Sequence, residues 1–224
     1  MTESITSHLR PHARRAYFAT RNAASRALIE RRAGVNTTGE VNLQDLGLDA
    51  TNRVRYEPSG WLDLRRILRP NDVSHDDVFI DFGAGKGRVL LQAARYEFGR
   101  VIGVELSPVL ADVARANIAA AQHRRRCPDV SVVTSDVLAY EIPDDLTYAY
   151  LYNPFRGELF AEFIGRLVES FDRNPRRLHI IYKTPIEAEY LEGTGRVRLV
   201  RSVRGIRPGR AWAEKMSIRL YEVR

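Results

Sequence analysis

A doubly wound α/β fold, with a seven-stranded, mostly parallel sheet and an antiparallel last strand, is predicted here on three observations. From Val78 onward, short runs rich in β-branched and apolar residues alternate with segments of helical character, the pattern of a parallel sheet covered on both faces. The first such run, Val78-Phe79-Ile80-Asp81-Phe82, passes into Gly83-Ala84-Gly85-Lys86-Gly87-Arg88 and then into the helix-forming Val89-Leu90-Leu91-Gln92-Ala93-Ala94. The last two strand-like runs are separated only by a stretch containing Gly205, Pro208 and Gly209, so they should form an antiparallel hairpin at the end of the sheet.

Taken in order, residues 11–32 read as a helix. Pro11 suits its first turn, Gly34 suits the position just past its end, and Ala13, Tyr17, Ala24 and Leu28 fall near one face. Residues 34–57 are polar and irregular and read as a linker or cap rather than a core element. Ser59–Leu68, with Trp61, Leu62, Leu64, Ile67 and Leu68, is a short amphipathic helix stopped by Pro70. Strands are expected at Val78–Asp81, Val101–Glu105, Val130–Thr134, Thr147–Tyr152, Leu178–Lys183, Arg196–Val203 and Met216–Glu222. Helices are expected at Arg88–Tyr96, Pro108–Ala121, Gly157–Phe171 and Pro185–Glu192. The division is therefore a helix and cap over residues 1–55 and one ligand-binding domain over residues 56–224.

Composition narrows the function. At 224 residues and 44% hydrophobic, the chain can bury one full core. No run approaches the roughly 18–20 apolar residues of a membrane span, and no signal-peptide core opens the sequence. Only three lysines (Lys86, Lys183, Lys215) stand among 35 basic residues, an arginine skew that points to a bacterial, cytoplasmic protein. The lone Cys127 excludes a disulfide framework and a cysteine-based zinc site; no metal is expected. The net charge of +7 is concentrated in Arg10, Arg14, Arg15, Arg21, Arg26, Arg31 and Arg32 and in Arg196, Arg198, Arg201, Arg204, Arg207 and Arg210. Such termini suit either a solvated surface or an electrostatic footprint for nucleic acid.

Chemistry concentrates where strands end. A glycine turn before a helix lets a ligand lie against backbone, because no Cβ holds it off. Glu105, 24 residues after Asp81, ends the second strand, where a carboxylate can accept from both hydroxyls of a ribose. Asp136 in Thr134-Ser135-Asp136-Val137 follows the third strand and can accept from an adenine amino group, with the next backbone N–H facing a ring nitrogen. Tyr152-Asn153-Pro154-Phe155 follows the fourth. All four lie at carboxyl ends of strands, the ligand-binding edge of open α/β sheets. Tyr148, Tyr150 and Tyr152 alternate onto one face, with Tyr152 nearest the pocket. His179 lies in a strand and reads as a core histidine, and His8, His12, His75 and His123 have no distinguishing context.

Asp81-Phe82-Gly83-Ala84-Gly85-Lys86-Gly87, Glu105 and Asp136 resemble the first three motifs of the class I S-adenosylmethionine (SAM)-dependent methyltransferases, over residues 56–224. The resemblance implies a Rossmann-like sheet and SAM as methyl donor, leaving S-adenosyl-L-homocysteine. Carried over by position, it implies that Asp81, with Phe82, faces the methionine end; that Gly83, Ala84, Gly85, Gly87 and Arg88 form the approach; that Glu105 with Leu106 holds the ribose; and that Asp136 with Val137 holds the adenine. Tyr56-Glu57-Pro58-Ser59 and Asn153 are distantly similar to the non-SET histone lysine methyltransferases, which implies that Tyr56 and Glu57 close over the methionine moiety and Asn153 lies beside the methyl. Asn153-Pro154-Phe155 also resembles the Asn-Pro-Pro-aromatic motif of amino-group methyltransferases. There the Asn carbonyl and a backbone carbonyl accept the amine's N–H bonds and the aromatic ring stacks on a planar substrate; Phe155 packed in the core after a tight turn is the alternative.

The expectation is a methyltransferase acting on a nitrogen nucleophile, ahead of oxygen, of a small molecule or a protein side chain. The competing readings are an RNA-modifying enzyme clamping RNA with its basic termini, and a SAM-binding module without turnover. A lysine acceptor would need deprotonation, at a cost of roughly 4.6 kcal/mol at pH 7. The N-terminal helix is expected to act as a lid whose removal leaves the sheet folded.

Overall fold

The computed structural model describes residues 16–49, 51–207 and 209–224. Seven strands form one sheet: β1 Val78–Phe82, β2 Arg100–Glu105, β3 Asp129–Thr134, β4 Tyr148–Tyr152, β5 His179–Lys183, β6 Val197–Val203 and β7 Ile218–Val223. Their spatial order is β3-β2-β1-β4-β5-β7-β6. The pairs β1–β2, β2–β3, β1–β4 and β4–β5 are parallel, whereas β7 runs antiparallel to both β5 and β6. The chain winds outward from β1 through β2 to β3, then returns to β4 on the other side of β1. This reversal opens a crevice between the carboxyl ends of β1 and β4.

Helices cover both faces. On one lie α1 (residues 16–33), α2 Asp63–Ile67, α3 Arg88–Ala93 and α4 Pro108–Ala120; on the other, α5 Gly157–Arg173 and α6 Ala188–Gly193. Alternation along β1 explains the two cores. Phe79 joins Leu64, Ile67, Leu90 and Tyr150 on the first face, while Val78, Ile80 and Phe82 join Phe160, Phe163 and Leu167 on the second.

Two expectations require correction. The β6–β7 connection contains a short helix, α7 Arg210–Lys215, rather than a bare turn. In α1, Leu28 and Ala24 are exposed while Ser25, Glu30 and Ala33 are buried. The turn Arg26–Glu30 is π-helical, so the inward positions advance by five residues there and the apolar face read at regular helical spacing slips off the core. Gly34 does cap this helix in the left-handed region, at φ 67°. Pro11, Ala13 and the arginines up to Arg15 lie outside the described residues.

The stretch read as a linker or cap folds as a cap. Val35 and Leu43 are buried, Val41 pairs with Tyr56, and Arg53 pairs with Phe155, so the segment lies across the carboxyl edge of the sheet. Four of the six arginines near the C-terminus are neutralised locally: Arg196, Arg198, Arg201 and Arg204 pair with Asp172, Glu222, Asp72 and Glu214. Among the described residues, no helix is long and apolar enough to cross a membrane and no cluster could hold a metal ion. Cys127 is a buried free thiol.

Candidate active site

The three glycines of the turn all have positive φ, at 93°, 55° and 80° for Gly83, Gly85 and Gly87. The N–H groups of Gly83 and Ala84 both donate to the carbonyl of Val104, at 2.8 and 3.0 Å, folding the turn over β2. A Cβ on Gly83 would lie 2.9 Å from Cβ of Pro154, and one on Gly85 would overlap the Tyr56 ring. The turn is therefore bare partly because Pro154 and Tyr56 lie directly on it. Gly87 sits behind, against Ala114, as the N-cap of α3.

Two buried carboxylates face one another across this turn. Glu105 accepts from the N–H groups of Gly85 (2.8 Å, on Oε2) and Ser107 (2.9 Å, on Oε1), so each oxygen is oriented and keeps a lone pair. The Asp81 carboxyl makes no hydrogen bond among the described residues. Burial, then the charge of Glu105, pushes the Asp81 carboxyl well above the ordinary aspartate range. Burial also raises Glu105, with the backbone N–H groups pulling the other way. Asp136 is more open. Its Oδ2 pairs with Arg53 at 2.6 Å and its Oδ1 accepts from the N–H of Leu138, which fixes it at the rim.

At the end of β4, Asn153 is forced into the left-handed region at φ 44°, a conformation asparagine tolerates better than bulkier residues. Its Oδ1 is buried and has no hydrogen-bond partner among the described residues, and the same holds for Glu57 Oε1. The ring of Tyr152 is backed by Lys183, whose Nζ lies 4.3 Å from the ring centroid and forms a buried ion pair with Asp63. The Pro154 carbonyl already accepts from the Val54 N–H at 3.0 Å, which turns this second carbonyl acceptor of the motif toward the cap. Phe155 is buried, with ring centroids 5.1 Å from Phe163 and 6.3 Å from Phe160. Its role as a stacking surface for a planar substrate gives way to the core alternative, since both neighbours belong to α5.

These groups line one crevice at the carboxyl ends of β1 and β4. Tyr56, Glu57, Asp81, Gly83, Ala84, Gly85, Arg88, Glu105, Leu106, Asp136, Val137 and the run from Tyr152 to Phe155 all reach it. Phe82 does not, because strand alternation turns its ring onto Phe163, 4.7 Å away. Arg88 lines the wall, but its guanidinium is spent inward. Nη2 pairs with Glu30 at 2.7 Å, Nε donates to Thr37 and Nη1 donates to the Ser59 carbonyl, all with Arg88 only 3% exposed. Glu30 further accepts from Ser25, Thr37 and Thr38. The Tyr56 hydroxyl donates to the Thr37 carbonyl at 2.6 Å, tying the cap over Gly85 to the same network. Removing the N-terminal helix would take away Glu30, the partner of Arg88.

Sequence reasoning missed Arg53, Ser59, Ser135 and Tyr150, which also line the crevice. Tyr150 was accessible through its alternate spacing with Tyr152; nothing local signals that Arg53 meets Asp136. His179 stacks on Tyr148 at 5.0 Å, at the opposite end of the strands.

The crevice opens at Asn153, Tyr152 and Glu57 into a second cleft, walled by Phe18 of α1, Trp212 and Lys215 of α7, and Arg156, Thr184 and Ile186. This neighbouring space is where a second reactant can meet whatever the glycine turn holds.

Comparison with known proteins agrees with the geometry. Residues 79–167 match a family described as Methyltransferase domain. A protein-lysine N-methyltransferase from Saccharolobus islandicus (strain REY15A) is 36% identical over 66 residues, 29% of this chain and 41% of that protein, so the chain spans less than half of the curated relative it matches. An RNA methyltransferase from Salinibacter ruber, solved in complex with S-adenosyl-L-homocysteine, superposes with a TM-score of 0.50 at 21% identity, covering 75% of this chain and 94% of that one. The M. jannaschii tRNA m1G37 methyltransferase gives 0.53 at 14% identity, covering 79% and 53%. At these identities the structural likeness establishes the fold alone. With the sheet order, the inserted antiparallel strand and the matched stretch together, the chain has the Rossmann-like methyltransferase fold, and residues 79–167 match a methyltransferase domain.

Proposed function

We propose that this protein transfers the methyl group of SAM to a nitrogen nucleophile presented beside Asn153. The observation that carries the reading is the buried, unpartnered Oδ1 of Asn153, at the junction of the two clefts. A buried carbonyl without a partner costs about 1–3 kcal/mol, which an N–H donor from an acceptor amine would return.

The crevice residues fit the cofactor on their own chemistry. Glu57, with a buried oxygen lacking a partner, and Asp81, with no hydrogen bond, are the acids a cationic methionine end would satisfy. The open lone pairs of Glu105 suit a ribose diol, and Asp136 with the Val137 N–H suits an adenine edge. When bound, SAM supplies an electrophilic methyl carbon, so the protein's work is alignment and exclusion of water. Tyr56 covers Gly85 and Pro154 seals Gly83, and Asn153 Oδ1 would receive the acceptor's N–H and orient its lone pair toward the donated methyl. With the Pro154 carbonyl engaged by Val54, Asn153 is the acceptor positioned for this. Bound SAM would supply the methyl carbon and keep the electron pair on its sulfur, leaving S-adenosyl-L-homocysteine, and the second cleft would give the acceptor nitrogen's proton a route to solvent.

Asn153→Ala should retain S-adenosyl-L-homocysteine binding by calorimetry and lose transfer by about 10²-fold or more, in the range of lost oriented contacts. A variant with unchanged turnover against its acceptor would remove Asn153 from the chemistry. A parent protein without measurable S-adenosyl-L-homocysteine affinity would remove the cofactor assignment. A lysine acceptor is the second reading, favoured by the S. islandicus relative.

A further inference from the structure

The second cleft has a chemical character of its own. Three rings line it: Phe18, Tyr152 and Trp212. Its cationic lining comes from Arg53, Arg55, Arg156 and Lys215, against Glu57 as the one carboxylate among the described lining residues. Arg53 and Arg55 are paired, with Asp136 and Glu40. Arg156 and Lys215 are exposed, and neither side chain has a hydrogen bond or ion pair among the described residues. They come from different elements, the start of α5 and the end of α7, and both border the space beyond Asn153. Once Glu57 is engaged by a cationic methionine end, nothing anionic remains in the lining to offset them.

We infer that the acceptor is a planar, phosphate-bearing molecule of nucleotide type, its base lying among the rings with an amino or ring nitrogen toward Asn153 and its phosphate held by Arg156 and Lys215. The inference rests on the proposed methyl transfer and names the acceptor class for it. Charge separates this acceptor from lysine. A lysine ammonium entering the cleft meets two uncompensated cations, and among the described residues no histidine lines either cleft to deprotonate it. A base nitrogen is uncharged at neutral pH and keeps its lone pair without a strong base. Aromatic stacking combined with cation contacts to phosphate is the general recognition mode for single nucleotides and for single strands.

The test uses the full chain saturated with S-adenosyl-L-homocysteine, so that no probe can enter the adenosine crevice. Cytidine 5′-monophosphate, cytidine, a single-stranded oligocytidylate and a lysine-containing peptide are titrated separately by calorimetry. The phosphate-bearing probes should bind, cytidine at least about tenfold more weakly, as expected for loss of charge-assisted contacts. Tighter binding of the oligocytidylate than of the mononucleotide would assign the phosphate to a nucleic acid strand; equal binding would assign it to a free nucleotide. Arg156→Glu and Lys215→Glu should each weaken the nucleotide by about tenfold or more while leaving S-adenosyl-L-homocysteine affinity unchanged. The inference is overturned if nucleoside and nucleotide bind alike, if charge reversal leaves nucleotide affinity intact, or if the peptide alone binds. Failure of S-adenosyl-L-homocysteine itself to bind would instead overturn the cofactor reading beneath it.

Discussion

Glu30→Ala should destabilise the protein far more than a helix-surface change, and Arg88 is the reason. Both side chains are almost fully buried and meet at 2.7 Å. Truncating Glu30 leaves the guanidinium with Thr37, Thr38, the Ser59 carbonyl and the face of Trp61, 4.9 Å away, but without a counter-charge. Breaking a buried pair from one side costs about 3–5 kcal/mol, and the remaining neutral acceptors place the loss at the low end, about 3 kcal/mol. For a chain of this size that is a fall in Tm of about 6–12 °C, at about 2–4 °C per kcal/mol. Urea unfolding at pH 7 measures it. Pairing Arg88→Met with Glu30→Leu should recover most of the loss, since two apolar side chains leave no charge stranded. The pH dependence supplies an independent check. Burial raises the Glu30 carboxyl, but the hydrogen bonds from Thr38 and Thr37, the Arg88 charge and the Ser25 hydroxyl outweigh it, and the net value lies below the ordinary 4.5. Its contribution is therefore complete above pH 4.5 and is withdrawn as pH falls through the depressed folded value, where parent and variant should converge. A loss under about 1 kcal/mol at pH 7, or a difference that persists undiminished in acid, would refute the clamp.

Three further outcomes follow from the crevice. Glu105→Ala should weaken S-adenosyl-L-homocysteine by about tenfold or more, the worth of a charged hydrogen bond, and calorimetry would show it. Asp81 has a raised folded value, so it binds its proton more tightly folded than unfolded, and stability is lost as pH rises from the ordinary aspartate value of 3.8 through the folded one. Asp81→Asn should flatten that decline in denaturation at several pH values. In the parent, the affinity ratio of cationic SAM to S-adenosyl-L-homocysteine should rise with pH over the same window, and a flat ratio would place the sulfonium elsewhere. Gly85→Ala forces a Cβ into the Tyr56 ring at positive φ and should cost about 1–3 kcal/mol by the same denaturation assay, with part of that loss relieved by Tyr56→Ala.

How much of this was legible depended on whether a signal was local. The strands were, because each is a short apolar run, and the glycine turn placed Asp81 and Glu105 together because parallel pairing aligns the ends of β1 and β2. The helix α7 was not: Pro208 and Gly209 read as a turn, and six residues give too little periodicity to contradict them. The slip of Leu28 to the surface depends on one π-helical turn, which ends at Glu30 where it meets Arg88, a contact spanning 58 positions. Phe155 carried two equally good local readings, and only the arrival of α5 decided between them. The buried Asn153 carbonyl was legible in kind, but the commitment of the Pro154 carbonyl to Val54 was not, since it depends on the cap folding back across the sheet.

The walls of the second cleft come mostly from outside the span 79–167. Phe18, Arg53 and Glu57 precede it, while Thr184, Ile186, Trp212, Lys215 and Met216 follow it. Most of this cleft is thus written outside the stretch that carries the glycine turn, Glu105 and Asp136, while Tyr152, Asn153 and Arg156 form the seam between the two.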